Sequence, residues 1–119
     1  MADHATLDQQ LNAAILEGKI LEAFEEHYAD EVVMIEGGGE RHEGKDVNRE
    51  REQQFVGSLQ EVHEVALHAA AVDGDISLSE WLMDVTFQDG TRKRLEQAAV
   101  RRWRDGKIVE ERFYYDAAS

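Results

Sequence analysis

Residues 89–115, DGTRKRLEQAAVRRWRDGKIVEERFYY, decide the fold class, because two long runs of β-type residues each follow an Asp-Gly pair. A further pair, Asp73-Gly74, lies earlier in the chain. Asp-Gly suits a tight hairpin turn because both residues tolerate a positive φ. The spacing therefore predicts four long antiparallel strands that form a meander, over residues 59–72, 76–87, 92–104 and 107–115.

The first half of the chain carries helical patterns. Thr6 to Gln9 has the form of a capping box, and apolar residues then recur at helical spacing as far as Gly18. The next elements are predicted as a short helix over residues 20–28, a strand over 31–36, a short strand near 41–43 and a helix over 46–56. Helices followed by a sheet predict an α+β fold, with three N-terminal helices packed on one face of a curved antiparallel sheet.

Length and composition limit the protein classes. The 119 residues predict one domain over residues 1–119, and the absence of cysteine excludes disulfides, thiol catalysis and cysteine-based metal sites. No apolar run approaches the ~20 residues that span a bilayer. The first ten residues, MADHATLDQQ, lack the basic and apolar regions of a secretion signal. We expect a cytoplasmic protein that has no membrane partner.

The charge is strongly acidic, with a formal net charge of −13. Such a field repels nucleic acid, so we expect no nucleic-acid partner. Seven of the thirteen cations nevertheless lie between Arg92 and Lys107. They indicate either a local nucleic-acid patch or pairing with acids on neighbouring strands, such as Glu80, Asp84 and Glu110. Pairing across strands is the simpler interpretation.

The five histidines do not predict a metal site. No two of them have the spacing of metal ligands on a helix or a strand, so we expect neither a metal nor another cofactor. His63 shares its predicted strand face with Val65 and Leu67, the more apolar side of that strand. It is interpreted as a hydrogen-bonded histidine in a pocket wall, with a proton relay as the sharper alternative.

Several landmarks support a family resemblance. They are Gly18 between the first two helices, Tyr28-Ala-Asp30 before the first strand, Gly44 before the third helix, and Asp105-Gly106-Lys107-Ile108-Val109 before the last strand. In this order they resemble the nuclear-transport-factor-2-like superfamily, and within it the SnoaL-like and ketosteroid-isomerase-like small proteins. The resemblance implies a conical, barrel-like α+β fold with a pocket between the sheet and the helices. It also implies a homodimer formed through the outer face of the sheet.

The resemblance also implies a catalytic position. Ketosteroid isomerases place their catalytic aspartate six residues beyond the Asp of the Ala-Asp pattern, and six residues beyond Asp30 is Glu36. Glu36 would then be a general base in an apolar pocket, on the face that also carries Met34. A carboxylate that loses hydration is a stronger base and can take a proton from a carbon next to a carbonyl.

The resemblance fails at the two hydrogen-bond donors of the isomerases, whose positions correspond to Leu11 and about Ala99. If Ala99 faces inward, alternation along the strand also turns Gln97, Arg101 and Trp103 inward. On the last strand the same argument predicts Val109, Glu111, Phe113 and Tyr115 as inward-facing. Arg101, Tyr115 and His63 would then polarise the substrate or shuttle protons beside Glu36. The predicted ligand-binding residues are Met34, Gln97, Trp103, Glu111, Phe113 and Trp81.

Two functions from different classes remain open at the level of the sequence. The first is a lyase, isomerase or cyclase that acts on a small apolar carbonyl compound with Glu36 as general base. The second is a non-catalytic homodimeric module that binds a small apolar molecule or only assembles. The Asp-Arg-Asp set of the limonene-epoxide-hydrolase branch cannot be placed completely, because Arg101 and Glu111 are candidates but residue 113 is Phe.

Overall fold

A computed structural model describes residues 2–115 and contains, within that range, three helices and six strands. The helices are α1 (His4–Leu16), α2 (Ile20–His27) and α3 (Lys45–Gly57). The strands are β1 (Tyr28–Ile35), β2 (Arg41–Glu43), β3 (Leu59–Asp73), β4 (Ile76–Phe87), β5 (Arg92–Arg104) and β6 (Lys107–Tyr114). The predicted α+β class is confirmed.

The strands form one mixed sheet in the order β2-β1-β6-β5-β4-β3. The predicted meander of β3 to β6 is confirmed, and β1 joins it by pairing parallel with β6. At the last hairpin Asp105 and Gly106 both have positive φ, 53° and 80°, as the Asp-Gly argument requires. At the first hairpin Asp73 still belongs to β3, and only Gly74 has a positive φ, 62°.

The start of α1 differs from the prediction. Asp3 caps this helix, because its side chain accepts a hydrogen bond from the Thr6 backbone N–H at 2.8 Å. The capping box predicted at Thr6 is therefore wrong. An acid three residues before Thr6 reaches the free N–H groups first, and Thr6 lies within the first turn of the helix. The first strand also begins earlier than predicted, at Tyr28, directly after α2.

The main core lies where α1 and α2 cover β1, β5 and β6. Leu11, Phe24, Val32, Trp103 and Ile108 are all at most 3% exposed and form one cluster. Burial of each large apolar side chain contributes about 1.5–3 kcal/mol, so this cluster holds the two helices against one end of the sheet.

The basic segment pairs with acids on neighbouring strands, as predicted. Arg92 contacts Asp84 at 3.0 Å, Arg102 contacts Glu110 at 3.1 Å and Arg101 contacts Glu111 at 2.8 Å. The first two pairs have exposed arginines and contribute little, whereas the third is buried. Within residues 2–115, no helix is both long enough and apolar enough to cross a membrane.

Candidate functional site

A cavity of about 630 Å³ lies between the inner face of the sheet and the three helices. That volume suits a small organic molecule. Its aromatic and aliphatic lining comes from both layers of the fold. The apolar and aromatic lining residues include Leu11, Ile15, Ile20, Phe24, Tyr28, Phe55, Val65, Trp81, Met83, Phe87, Leu95, Ala99, Phe113 and Tyr115.

A buried charge network forms the base of the cavity around Arg101, which is 2% exposed. Its Nε donates to Glu111 at 2.8 Å, and its Nη1 donates to Asp8 at 3.1 Å and to Asn12 at 2.6 Å. Tyr28 donates its hydroxyl hydrogen to the second oxygen of Glu111 at 2.5 Å. One arginine therefore joins α1 to β6, with a carboxylate on each side.

Burial and charge shift the pKa values of this network. Burial raises the pKa of Tyr28 well above its ordinary value, and the neighbouring charge of Glu111 adds to that effect. Burial alone would lower the pKa of Arg101, but the charge of Glu111 leads the effects that outweigh it, and the pKa rises. Tyr28 therefore stays a phenol and Arg101 stays a cation across the physiological range. Neither residue is a proton carrier in the free protein.

Glu36 lies at the mouth of the cavity, where β1 ends. Arg51 donates to one of its oxygens at 2.5 Å, and Tyr115 donates its hydroxyl hydrogen to the other at 2.8 Å. The Glu36 side chain is 22% exposed, so it contacts both solvent and cavity. Gly37 lets Tyr115 approach this closely, since a Cβ on residue 37 would lie 2.9 Å from the Tyr115 carbonyl oxygen and 3.0 Å from its ring.

Helix α3 carries Arg51 and a second carboxylate, Glu52, into the cavity. The helix is fixed by the fully buried Asn48, whose amide donates to the backbone carbonyls of His42 and Gly44 at 2.9 Å each. The Asn48 side-chain oxygen accepts from Arg51 at 3.0 Å. Burial raises the pKa of Glu52 to about 7, and the charge of Glu111 is the next largest cause.

Comparison with protein families identifies the chain, because the profile of the SnoaL-like domain matches residues 2–115. The chain belongs to the SnoaL-like domain family. No curated protein matches the sequence. Among solved structures, a candidate SnoaL-like polyketide cyclase from Mesorhizobium loti has a TM-score of 0.82 and 27% identity, over 93% of this chain and 97% of that chain.

Two further solved structures share the fold of this SnoaL-like chain. A ketosteroid-isomerase-like protein from Catenulispora acidiphila, in complex with trimethylamine, has a TM-score of 0.73 and 20% identity over 90% of this chain and 83% of that chain. An LEH-like epoxide hydrolase from M. tuberculosis has a TM-score of 0.76 and 21% identity over 95% of this chain and 85% of that chain. These likenesses establish the conical nuclear-transport-factor-2-like fold that the sequence predicts.

The structure brings most of the residues predicted for the site to this one cavity. These lining residues are Glu36, Arg101, Tyr115, Gln97, Trp81, Glu111 and Phe113. Met34 and Trp103 do not line it, because they are buried in the core cluster beneath α1 and α2. The donor positions Leu11 and Ala99 both line the cavity wall without a polar side-chain group.

Two register shifts change the predicted facings. In β3 a shift between Val62 and Glu64 turns His63 out of the alternation, and its Nε2 lies 2.8 Å from the hydroxyl of Thr86, away from the cavity. Between β5 and β6 Arg102 pairs with Glu110 but Trp103 pairs with Ile108, so Ile108 rather than Val109 takes the core position. A bulge inserts one residue and reverses every facing beyond it, which strict alternation cannot anticipate.

Four polar residues of the site were not predicted from the sequence: Asp8, Tyr28, Arg51 and Glu52. Helical spacing offered a signal for three of them. Asp8 lies one turn before the buried Leu11 and Asn12, and Arg51 and Glu52 lie one turn before Phe55, which lines the cavity. Tyr28 was assigned to the end of α2, and only the parallel pairing of β1 with β6 brings it to Glu111.

Within residues 2–115, no group of three or more His, Asp and Glu side chains is placed to hold a metal ion. The carboxylates at the base already accept hydrogen bonds from Arg101 and Tyr28. Glu36 likewise accepts hydrogen bonds from Arg51 and Tyr115. These oriented carboxylates and their donors are suited to hydrogen bonding and proton transfer.

Proposed function

We propose that this single SnoaL-like domain binds a small, largely apolar molecule in the cavity and acts on it by proton transfer, as an isomerase, lyase or cyclase. Glu36 would be the general base. The observation that carries the proposal is the position of Glu36: its carboxylate opens onto an apolar cavity, and both of its oxygens are oriented by a donor, Arg51 and Tyr115.

The hydrogen bonds to Glu36 are compatible with its role as a base. A carboxylate offers about four lone-pair positions, so each oxygen can accept a substrate proton while it keeps its existing donor. Arg51 and Tyr115 fix the direction of the remaining lone pairs, and a fixed direction lowers the entropy cost of reaching the transition state. Tyr115 therefore acts as a positioning residue for Glu36.

Arg101 is suited to polarise an oxygen of the bound molecule. It lines the cavity, and within residues 2–115 its Nη2 group donates no hydrogen bond, whereas its Nε and Nη1 groups do. A ligand carbonyl that reaches the base of the cavity would meet a buried cationic donor, which is strongest where negative charge develops. His63 has no part in this proposal, because it hydrogen-bonds Thr86 away from the cavity.

The relatives support a reaction of this kind. They are described as a candidate polyketide cyclase, an LEH-like epoxide hydrolase and, for a protein from Bacillus subtilis, a candidate isomerase. Each of these reaction types depends on the movement of protons at carbon or oxygen, for which oriented carboxylates are suited.

A non-catalytic binding module is the second candidate. The observation that favours it is the closed network at the base, in which Asp8 also accepts from Ser77 at 2.7 Å and from Trp103 at 3.2 Å. A buried arginine enclosed by acids in this way is commonly structural. In this case the cavity would bind an apolar molecule without changing it.

The test combines binding with turnover. A panel of enolisable ketones and epoxides is screened for a rise in the melting temperature and then for consumption, with wild type and Glu36→Gln. Glu40→Gln is the matched control, since Glu40 is exposed on the same hairpin. Consumption that Glu36→Gln stops supports the enzyme. Binding without consumption supports the module, and absence of binding contradicts both.

We also propose that the protein forms a homodimer through the sheet. Strand β3 is an edge of the sheet within residues 2–115, and Val62 and Leu78 are 48% and 49% exposed on β3 and β4. A long edge strand with exposed apolar side chains favours association. Light scattering should give the mass of a dimer for wild type and of a monomer for Leu78→Glu. A monomeric wild type would contradict the proposal.

A further inference from the structure

Glu52 is the one carboxylate of the cavity that has no partner within residues 2–115. Of the other three glutamates that line the cavity, Glu36 and Glu111 each accept from an arginine and a tyrosine, and Glu96 lies 4.0 Å from Arg94. Glu52 lines the same space from α3 but takes part in no hydrogen bond or ion pair of the described chain. A half-buried carboxyl in an apolar wall is costly when ionised unless something compensates for its charge.

The charges that face Glu52 do not supply this compensation. From β1 and β6 it faces the carboxylates of Glu36 and Glu111, and from its own helix it has Arg51, which is already bonded to Glu36. Arg101 on β5 is bonded to both Glu111 and Asp8.

The carboxylates of Glu36, Glu111 and Asp8 and the guanidinium groups of Arg51 and Arg101 therefore surround Glu52 with one excess negative charge. Lys93, Arg94 and Glu96 line the cavity farther along β5, and all three are exposed, so solvent screens them.

We propose that Glu52, as a neutral carboxylic acid, is the hydrogen-bond and proton donor to an oxygen of the bound molecule. The proposal rests on the proposed function, because it assigns the acid partner of Glu36 in the same cavity. It also accounts for Leu11 and Ala99, which line the wall but cannot donate. The excess negative charge disfavours ionised Glu52, and the rise of its pKa to about 7 agrees with this argument.

The two glutamates have opposite surroundings and so take opposite roles. With a ketone, Glu36 takes a proton from the carbon next to the carbonyl, and the C–H electron pair forms a carbon–carbon double bond. The carbonyl π pair moves to oxygen, which receives the proton of Glu52. The products of this step are an enol, protonated Glu36 and ionised Glu52. If the ketone is β,γ-unsaturated, the enol is a dienol. The proton of Glu36 then returns to the γ carbon, the hydroxyl proton returns to Glu52, and the carbon–carbon double bond moves into conjugation with the carbonyl.

The test uses 3,4-dinitrophenolate, an anion whose oxygen resembles an enolate and which stays ionised between about pH 6 and about pH 8.5. If neutral Glu52 donates to it, its affinity for wild type falls as the pH rises through 7, approaching about tenfold per pH unit. Glu52→Gln keeps an N–H donor, so it should bind the anion with little dependence on pH. Glu52→Ala should bind about tenfold more weakly at the low end of the range. Glu50→Gln, exposed on the same helix, should behave as wild type.

Other outcomes would overturn the proposal. One is an affinity of wild type that is independent of pH, and another is a slope that Glu52→Gln leaves unchanged. A third is that benzyltrimethylammonium binds more tightly as the pH rises and loses that gain in Glu52→Gln, which would make ionised Glu52 a site for organic cations.

Naphthalene, a neutral apolar probe, separates this proposal from the proposed function. If naphthalene binds but the affinity for the anion does not depend on Glu52, only the donor role of Glu52 is contradicted. If neither probe binds, both fail. The carboxyl-carbon NMR signal of Glu52 in the free protein gives an independent reading, and its midpoint should lie near 7. An ordinary midpoint would contradict the donor role without reference to any ligand.

Discussion

Tyr115 donates its hydroxyl hydrogen to Glu36 at 2.8 Å, across the point where β1 ends and the chain leaves β6. The bond joins residues that are far apart in the sequence but adjacent at the mouth of the cavity. Burial, and then the hydrogen bond to Glu36, raise the pKa of Tyr115, so its hydroxyl remains a donor. The orientation of the proposed base therefore depends on the last described residue of the chain.

Replacement of Tyr115 by Phe should lower kcat for a consumed ketone about tenfold, because a hydrogen bond to a charged group contributes about 1.5–3 kcal/mol. KM should change little, since the ring remains. Tyr114→Phe is the control: Tyr114 is 53% exposed and packs beside Arg112. Steady-state kinetics of the three proteins measure the difference. If Tyr115→Phe has the same kcat as wild type, Tyr115 does not position Glu36.

Replacement of Gly37 by Ala should displace Tyr115, because the new methyl group would lie 2.9 Å from its carbonyl oxygen. We expect a loss of stability of about 1–3 kcal/mol, as for other overpacked sites, together with the kinetic defect of Tyr115→Phe. Gly38→Ala should change neither, since a methyl group there meets nothing within 4 Å. Urea unfolding measures the stability. If Gly37→Ala and Gly38→Ala have the same stability and the same kcat, Tyr115 does not lie against Gly37 as described.

Replacement of Arg101 by Met should destabilise the fold by about 3–5 kcal/mol, because Glu111 and Asp8 would remain buried without their cation. Adding Glu111→Gln to this variant should restore part of the loss. Arg102→Met, whose pair with Glu110 is exposed, should cost less than about 1 kcal/mol. Urea unfolding of the four proteins gives these free energies. A small effect of Arg101→Met would mean that water or a ligand charge compensates these acids.

The stability should also depend on the pH through Glu52. Its pKa is about 7 in the folded protein and near the ordinary 4.5 when unfolded, so the folded state binds the proton more tightly. The contribution of Glu52 to stability is therefore complete below about pH 4.5, is lost as the pH rises to about 7, and stays lost above that.

Glu52→Gln removes this loss, so it should be more stable than wild type by about 1–3 kcal/mol at pH 8 and nearly equal to it at pH 4. Glu50→Gln should follow wild type at both values. Equal stability of Glu52→Gln and wild type at the higher pH would mean that Glu52 ionises there without cost.

The fold was predictable because its signals are local. Asp105-Gly106 sets a turn through its own backbone, and the β-type runs on each side extend until the next turn residues. Strand bounds from β3 to β6 consequently agree with the structure to within about one residue. The inward facing of Arg101 and Glu111 was also predictable, since they lie in a stretch of β5 and β6 that has no bulge.

The rest of the site depends on contacts between distant segments. At the register shift, β6 has one residue more than β5, and this turns Ile108 inward instead of Val109. No residue type in the sequence predicts the shift. Glu52 and Asp8 lie on helices that look polar, and only the packing of α1 and α3 over the sheet makes them part of a cavity. Helical spacing from Phe55 and Leu11 indicates on which helix face Glu52 and Asp8 lie. It does not indicate which charged side chains contact them.

The most direct test of the proposed function is proton exchange at carbon. 2-Tetralone, an enolisable aromatic ketone, is incubated in D₂O with the protein, and loss of its NMR signal next to the carbonyl is followed. We expect exchange well above the buffer rate with wild type and Glu40→Gln, and exchange at the buffer rate with Glu36→Gln. If 2-tetralone binds in the cavity and wild type does not accelerate exchange, or if Glu36→Gln accelerates it equally, Glu36 is not the base.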